Sequence, residues 1–105
     1  AEATSEKRAM SHYLAGRVSA LVGTHTHIPT ADEQIINGTG YLTDVGMTGS
    51  KQSVIGVTVG PILERFVNRN MVKVSEATGD FTANAVVITI DEKTGKCSEI
   101  HRINF

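Results

Sequence analysis

Val18-Ser19-Ala20-Leu21-Val22-Gly23-Thr24-His25-Thr26-His27 is the stretch on which the reading of this chain turns. Its first half is an almost uninterrupted apolar run, the pattern of a short strand covered on both faces. Its second half places ligand-type residues where that strand ends. In extended backbone, residues two apart face the same side. The spacing therefore predicts that His25 and His27 aim two imidazoles at one patch of space. Paired neutral imidazoles begin a transition-metal site, but such a site needs at least three protein ligands. Thr24 and Thr26 offer hydroxyls that could orient the rings, and Pro29 stiffens the exit from the loop.

Upstream, residues 2 to 14 favour a helix, with Met10 and Leu14 four apart and Ala3 on the same side. Glu2 and Glu6 precede Lys7 and Arg8, the order that the helix dipole favours, and Gly16 is a suitable stop. A helix, a tight link, a buried strand and ligand residues at the strand's C-terminal end form an α/β arrangement, whose sites lie at that end. Downstream, residues 34 to 43 read as a hairpin about Asn37-Gly38, which supplies the positive φ angles of a two-residue turn. Asp44 to Ser50 is too glycine-rich for a regular element. Pro61 is expected to open a short helix with Ile62, Leu63, Phe66 and Val67 as its apolar stripe and Glu64, Arg65 and Arg69 on its wet face. From Met71 the period changes to two, and 71–77, 81–90 and 96–105 read as a three-stranded antiparallel meander. The turns between these strands are Thr78-Gly79-Asp80 and Asp91 to Gly95.

The fold class is thus α/β in one compact unit. A chain of 105 residues, 40% hydrophobic and 20% charged with net charge −1, is ordinary for a globular protein. This balance gives no electrostatic case for nucleic acid or an anionic membrane. No apolar run approaches the roughly 18 residues of a spanning helix, so no membrane partner is expected. Cys97 stands alone, which excludes an internal disulfide framework and fits a cytoplasmic location. The chain opens at Ala1 in what already reads as helix, so a preceding segment is expected.

Among internal candidates for a third ligand, Asp44 is the best placed, at the end of the second hairpin strand. His25, His27 and Asp44 would make a two-histidine, one-carboxylate set of the non-haem iron kind. Asp32 and Glu33 are expected to begin the hairpin as solvated charges. His12 reads as a helix-surface residue, His101 as a half-buried, hydrogen-bonded strand residue, and Cys97 as a small apolar filler.

Taken together, Gly23-Thr24-His25-Thr26-His27, Thr30-Ala31-Asp32-Glu33 and Thr43-Asp44-Val45-Gly46-Met47-Thr48-Gly49 resemble the C-terminal part of the YmdB-type metallophosphoesterases of the calcineurin-like superfamily. The opening Ala1 to Arg8 and the tail Val87 to Lys96 are similar to the same family. The resemblance implies the C-terminal portion of an α/β sandwich and a dinuclear phosphodiesterase acting on phosphodiesters, with 2′,3′-cyclic nucleotides as substrates. It implies two transition-metal ions, iron or manganese and alternatively zinc, with His25 on the second metal and His27 on the first. Metals about 3.5–4 Å apart can clamp the attacking and leaving oxygens of a phosphoryl displacement. The family's N-terminal half carries an aspartate, a bridging glutamate, an asparagine and a catalytic-acid histidine, none with a counterpart here, so no catalytic residue falls within these 105 residues. On this reading the chain is inactive alone, and its partners are the missing N-terminal half and further copies in a homo-oligomer.

Two other readings remain open from the residues themselves. One is a self-contained mononuclear iron-binding domain using His25, His27 and Asp44. The other is a non-enzymatic oligomerisation module that pairs through an exposed strand edge. Within Gly46-Met47-Thr48-Gly49, Thr48 is either a donor to a phosphate oxygen or part of an irregular connection.

Overall fold

Residues 2–105 are described in a computed structural model of the chain. Thr4–Leu14 forms the first helix, α1. Ala20–Val22 (β1), Gln34–Ile36 (β2) and Thr39–Leu42 (β3) form a three-stranded sheet in the order β1-β3-β2. Strands β1 and β3 run parallel, with Ala20 opposite Gly40 and Val22 opposite Leu42. Strands β2 and β3 form the expected antiparallel hairpin. At its turn Asn37 and Gly38 have φ of 48° and 81°, as a two-residue hairpin loop requires.

Parallel pairing has a direct consequence for the site. Two parallel strands end on the same side of a sheet, so the segments after Val22 and after Leu42 emerge next to each other. The ladder runs one step further: the Gly23 N–H donates to the Leu42 carbonyl at 2.9 Å, and the Val45 N–H donates to the Gly23 carbonyl at 2.9 Å. This approach is so close that a Cβ on Gly23 would lie 1.9 Å from the Thr43 carbonyl oxygen. Glycine is therefore a steric requirement here rather than a flexible hinge.

A second sheet comprises Thr48–Ser50 (β4), Phe81–Ile90 (β5) and Cys97–Asn104 (β6), all antiparallel, in the order β4-β5-β6. The three-stranded antiparallel sheet is as expected, but its first strand is not. Thr48-Gly49-Ser50, expected to be irregular, pairs with β5, whereas 71–77 has no strand and only the isolated bridge from Glu76 to Val57. Alternating polarity marks a segment that can extend; it does not choose its partner. The two sheets meet where the Cys97 N–H donates to the Gly38 carbonyl at 2.8 Å. Buried Cys97 sits so close to Gly40 that a Cβ there would lie 2.8 Å from Sγ.

Helix α2, Val59–Asn68, starts two residues before Pro61 and ends with Arg69 in the left-handed region. Its apolar stripe lies largely bare: Phe66 is 78% and Val67 73% exposed. Nor is β1 covered on both faces as expected. It stands at the edge of its sheet, and Val22 is 41% exposed. The buried apolar residues among those described are Tyr41, Leu42 and Cys97. The molecule measures 55 × 27 × 16 Å with a radius of gyration of 17.2 Å, against about 13 Å for a compact domain of this length. The compact unit expected from composition is thus an elongated slab.

Two glycines separate steric from conformational roles. Gly23→Ala is expected to lower stability by about 1–3 kcal/mol, because a fixed backbone carbonyl blocks the added methyl. Gly60→Ala, inside α2 with nothing near its would-be Cβ, is expected to be neutral or to gain up to about 1 kcal/mol. Urea denaturation of both variants measures the contrast, and equal effects would contradict it.

Candidate functional site

The site is built around a buried ion pair. Lys7 on α1 and Asp44 after β3 are both buried, at 5% and 0% exposure. The Lys7 ammonium donates to Asp44 Oδ2 at 3.3 Å and to the Thr24 carbonyl at 2.6 Å. Asp44 Oδ2 also accepts from the Thr26 N–H at 2.9 Å, and its Oδ1 accepts from the Gly46 N–H at 2.9 Å. Thr24 and Thr26 flank His25 in the chain, so the pair holds the peptides on both sides of that histidine. Helix α1 accordingly buries Lys7 and Ser11, whereas Met10 of its expected apolar side lies exposed.

A second layer of bonds fixes Asp44 from behind. Its N–H donates to Thr30 Oγ1 at 2.9 Å, and the Thr30 N–H donates to its carbonyl at 3.0 Å. Thr30 Oγ1 donates to Asp32 Oδ1 at 2.6 Å, and Asp32 also accepts from the Thr43 N–H at 3.2 Å and from the Thr43 hydroxyl. Because Thr43 gives its proton to Asp32, the Tyr41 hydroxyl donates to Thr43 Oγ1 at 2.8 Å. Asp32 is therefore a buttress rather than the solvated charge expected. Glu33, also expected to be solvated, pairs with Arg102 of β6 at 2.8 Å.

Burial by itself would raise the Asp44 carboxyl, but the Thr26 and Gly46 N–H groups, the Thr26 side chain and Lys7 outweigh it and hold its pKa below the usual aspartate range. Asp32 follows the same balance, with burial opposed by Thr30 and Thr43.

The histidines do not lie on extended backbone. His25 and His27 have φ of 103° and 69°, so the strand-parity argument for their convergence does not apply. Both belong to a looped segment past the C-terminal end of β1, the end of the strand at which the site is expected. Left-handed backbone at non-glycine residues costs of order 1–3 kcal/mol each and persists where surrounding bonds over-determine it. His27 Nδ1 lies 2.8 Å from the Ile55 carbonyl. A carbonyl only accepts, so Nδ1 carries a proton, and in the neutral ring the lone pair is then on Nε2, the arrangement in which a metal-binding imidazole is oriented. His25 is exposed, with Nε2 3.8 Å from Glu2 Oε2.

The donor set fits a metal only in part. Among the described residues, no cluster of three or more His, Cys, Asp and Glu side chains could hold an ion. Asp44, the expected third ligand of a self-contained iron site, has its oxygens engaged by Lys7, Thr26 and Gly46 and acts as a clamp instead. His12 is exposed as expected. The His101 side chain is 51% exposed, close to the half-buried state expected, and its Nδ1 lies 3.6 Å from Glu99, beyond hydrogen-bond distance.

His27 also borders a cleft of about 450 Å³, lined among others by Thr48, Ser50, Ile55, Glu76 and Phe81. Thr48 is exposed on β4, so a residue from the glycine-rich segment shares a cavity with a candidate ligand. Ser50 Oγ is buried without a hydrogen-bond partner among the described residues. Sequence reasoning does not find Lys7 or Ile55. For Lys7 the available signal is a lysine in the middle of an otherwise apolar stripe; for Ile55 it is an Ile-Gly pair between two valines.

The model of a family described as YmdB-like protein matches residues 1–103. A 2′,3′-cyclic-nucleotide 2′-phosphodiesterase of Bacillus subtilis (strain 168) is 49% identical over 104 residues, covering 98% of this chain and 39% of that protein. A crystal structure of a phosphatase from Mycoplasma pneumoniae superposes with a TM-score of 0.92 at 34% identity, over 99% of this chain and 38% of the other. That of a hypothetical protein from Thermus thermophilus gives 0.90 at 42% identity, over 99% and 41%. The chain thus spans about two fifths of the length of the proteins it matches.

Lys7→Met leaves Asp44 buried without its counter-charge and is expected to cost about 3–5 kcal/mol. Adding Asp44→Asn should recover part of that loss, which a double-mutant cycle measures. Because Asp44 and Asp32 have folded-state pKa values below the ordinary 3.8, their ionised forms contribute stability that is fully present above that value. It is lost as pH falls through the lower folded-state values. The urea midpoint should therefore drop as pH is lowered through and below the ordinary aspartate value; a flat profile would contradict the clamp.

Proposed function

The chain belongs to the YmdB-like protein family, and from that premise we propose that it forms part of a metal-dependent phosphodiesterase whose substrates are phosphodiesters, 2′,3′-cyclic nucleotides in particular. The observation that carries this reading is the bond from His27 Nδ1 to the Ile55 carbonyl at 2.8 Å. It leaves Nε2 as the ring's lone-pair donor, and His27 borders a cleft large enough for a small diester. His25 and His27 are the residues that would hold metal, and the remaining ligands come from protein outside this chain's donor set. Iron or manganese suits two imidazoles completed by carboxylates, and zinc is the alternative. When bound, the two ions supply Lewis-acid stabilisation of phosphoryl charge and an activated water nucleophile.

The chain's own contribution is binding and orientation. Lys7 and Asp44 hold the histidine loop in place, so that ring positions are set before substrate arrives. Thr48, exposed in the same cleft, donates its hydroxyl to a non-bridging phosphate oxygen. Ser50, whose hydroxyl has no partner among the described residues, lies deeper in the same wall. The further copies of a homo-oligomer would find apolar surface on the bare stripe of α2. No helix among the described residues is long and apolar enough to cross a membrane, and the reading places the enzyme in the cytoplasm.

Hydrolysis of bis-p-nitrophenyl phosphate by the whole protein, with metal content measured alongside, tests the proposal. Changing a residue that merely orients a ligand costs about 10–100-fold, so His27→Ala and His25→Ala should each lower kcat/KM at least about 100-fold and reduce bound metal. Retention of both metal and activity in the double variant would overturn the reading. Thr48→Ala removes a hydrogen bond to a charged oxygen and should lower kcat/KM about 10-fold or more; unchanged KM and kcat would leave Thr48 as a strand residue only.

A further inference from the structure

Among the described residues, a two-residue hairpin turn with positive φ at both central positions occurs twice. At Asn37-Gly38 the φ values are 48° and 81°; at Ile55-Gly56 they are 47° and 101°. The second turn is closed by a reciprocal pair of bonds, the Val54 N–H to the Val57 carbonyl at 2.9 Å and the Val57 N–H to the Val54 carbonyl at 3.1 Å. Asparagine is a preferred residue at the first central position, whereas a β-branched residue there is a genuine outlier. The same backbone problem is therefore solved once with the favourable residue and once with an unfavourable one.

Within this chain Ile55 is 49% exposed, so full burial of its side chain does not offset the strain of the turn. It does two things that bear on the site. Its carbonyl accepts the proton of His27 Nδ1, and its side chain lines the cleft that His27 borders. Phe81, 66% exposed, lines the same cleft, with Met47 and Val57. Exposed Ile55 and Phe81 share this cleft with Thr48, whose hydroxyl can donate to an anionic group, a combination that suits a ligand with an anionic end and a flat apolar end. In a nucleoside cyclic phosphate, the apolar end is the base.

Resting on the phosphodiesterase reading, we infer that Ile55 is a specificity-determining residue: its main chain orients His27, and its side chain, with the Phe81 ring, forms the wall against which the nucleobase of the substrate packs. The main-chain role survives any residue that can make the turn. The side-chain role does not.

The experiment compares two cyclic diesters, adenosine 2′,3′-cyclic phosphate and glycerol 1,2-cyclic phosphate, which keeps the reacting ring and has no base. Ile55→Asn and Ile55→Gly in the whole, metal-loaded protein both suit the turn and should melt at the same temperature as the parent or above it. The ratio of kcat/KM for the nucleotide over the glycerol diester is expected to fall about 10-fold in each, a discrimination typical of a lost apolar contact. Phe81→Ala should lower the same ratio. A ratio that stays within about twofold of the parent's in all three, or a clear drop in melting temperature in both Ile55 variants, overturns the inference. If the parent protein cleaves neither diester, the phosphodiesterase reading itself fails and takes this inference with it.

Discussion

The arrangement of this site depends on one buried contact, the pairing of Lys7 with Asp44. Removing both charges from water is costly, and an isolated pair seldom repays that cost. Here the charges have further partners. Lys7 also meets the Thr24 carbonyl, and Asp44 also takes the N–H groups of Thr26 and Gly46. Each extra bond is charge-assisted, stronger and more directional than a neutral one. What the pair specifies is the path of the chain between the end of β1 and His27. Asp44 reaches the right place because β1 and β3 are parallel and end together, and because Gly23 lets the two chains come within a methyl's width.

This constraint makes sense of the left-handed backbone at His25 and His27. A loop free to relax would leave that region, since non-glycine residues occupy it at a cost. With Thr24 and Thr26 tied to the ion pair and the His27 ring tied to Ile55, the loop has few alternatives. A site whose ring nitrogens are preset loses less freedom when a ligand or ion arrives. Strain at the two histidines and the cost of burying the charges are thus parts of one arrangement rather than separate oddities.

Which of this can be read in the residues follows from how local each signal is. The hairpin at Asn37-Gly38 is legible because turn chemistry acts over two residues. The position of the histidines past a strand end is legible because an apolar run followed by polar residues marks a boundary. Their backbone conformation is not, because distant residues set it: Lys7 stands 17 residues before Thr24, and Asp44 18 residues after Thr26. The partner of β5 escapes for a similar reason: 71–77 alternates in polarity, yet the short Thr48-Gly49-Ser50 segment takes the edge. The pair His25 and His27 is legible as ligand chemistry, while the clamp is hidden, since lysine and aspartate usually signify a wet surface.

The distribution of burial separates what holds the site from what surrounds it. Among the described residues, the buried polar set (Lys7, Ser11, Thr39, Thr43, Asp44, Ser50 and Thr82) outweighs the buried apolar set of Tyr41, Leu42 and Cys97. Large apolar side chains such as Phe66, Val67 and Met71 lie outside. The geometry around the histidines therefore rests on directional bonds, which specify position well and add modestly to net stability. Hydrophobic burial, the larger stabilising force in folding, is mostly unused on these surfaces. Any protein surface that covers the α2 stripe would thus change the stability of the slab far more than the local geometry of the histidine loop, because the two are held by different forces.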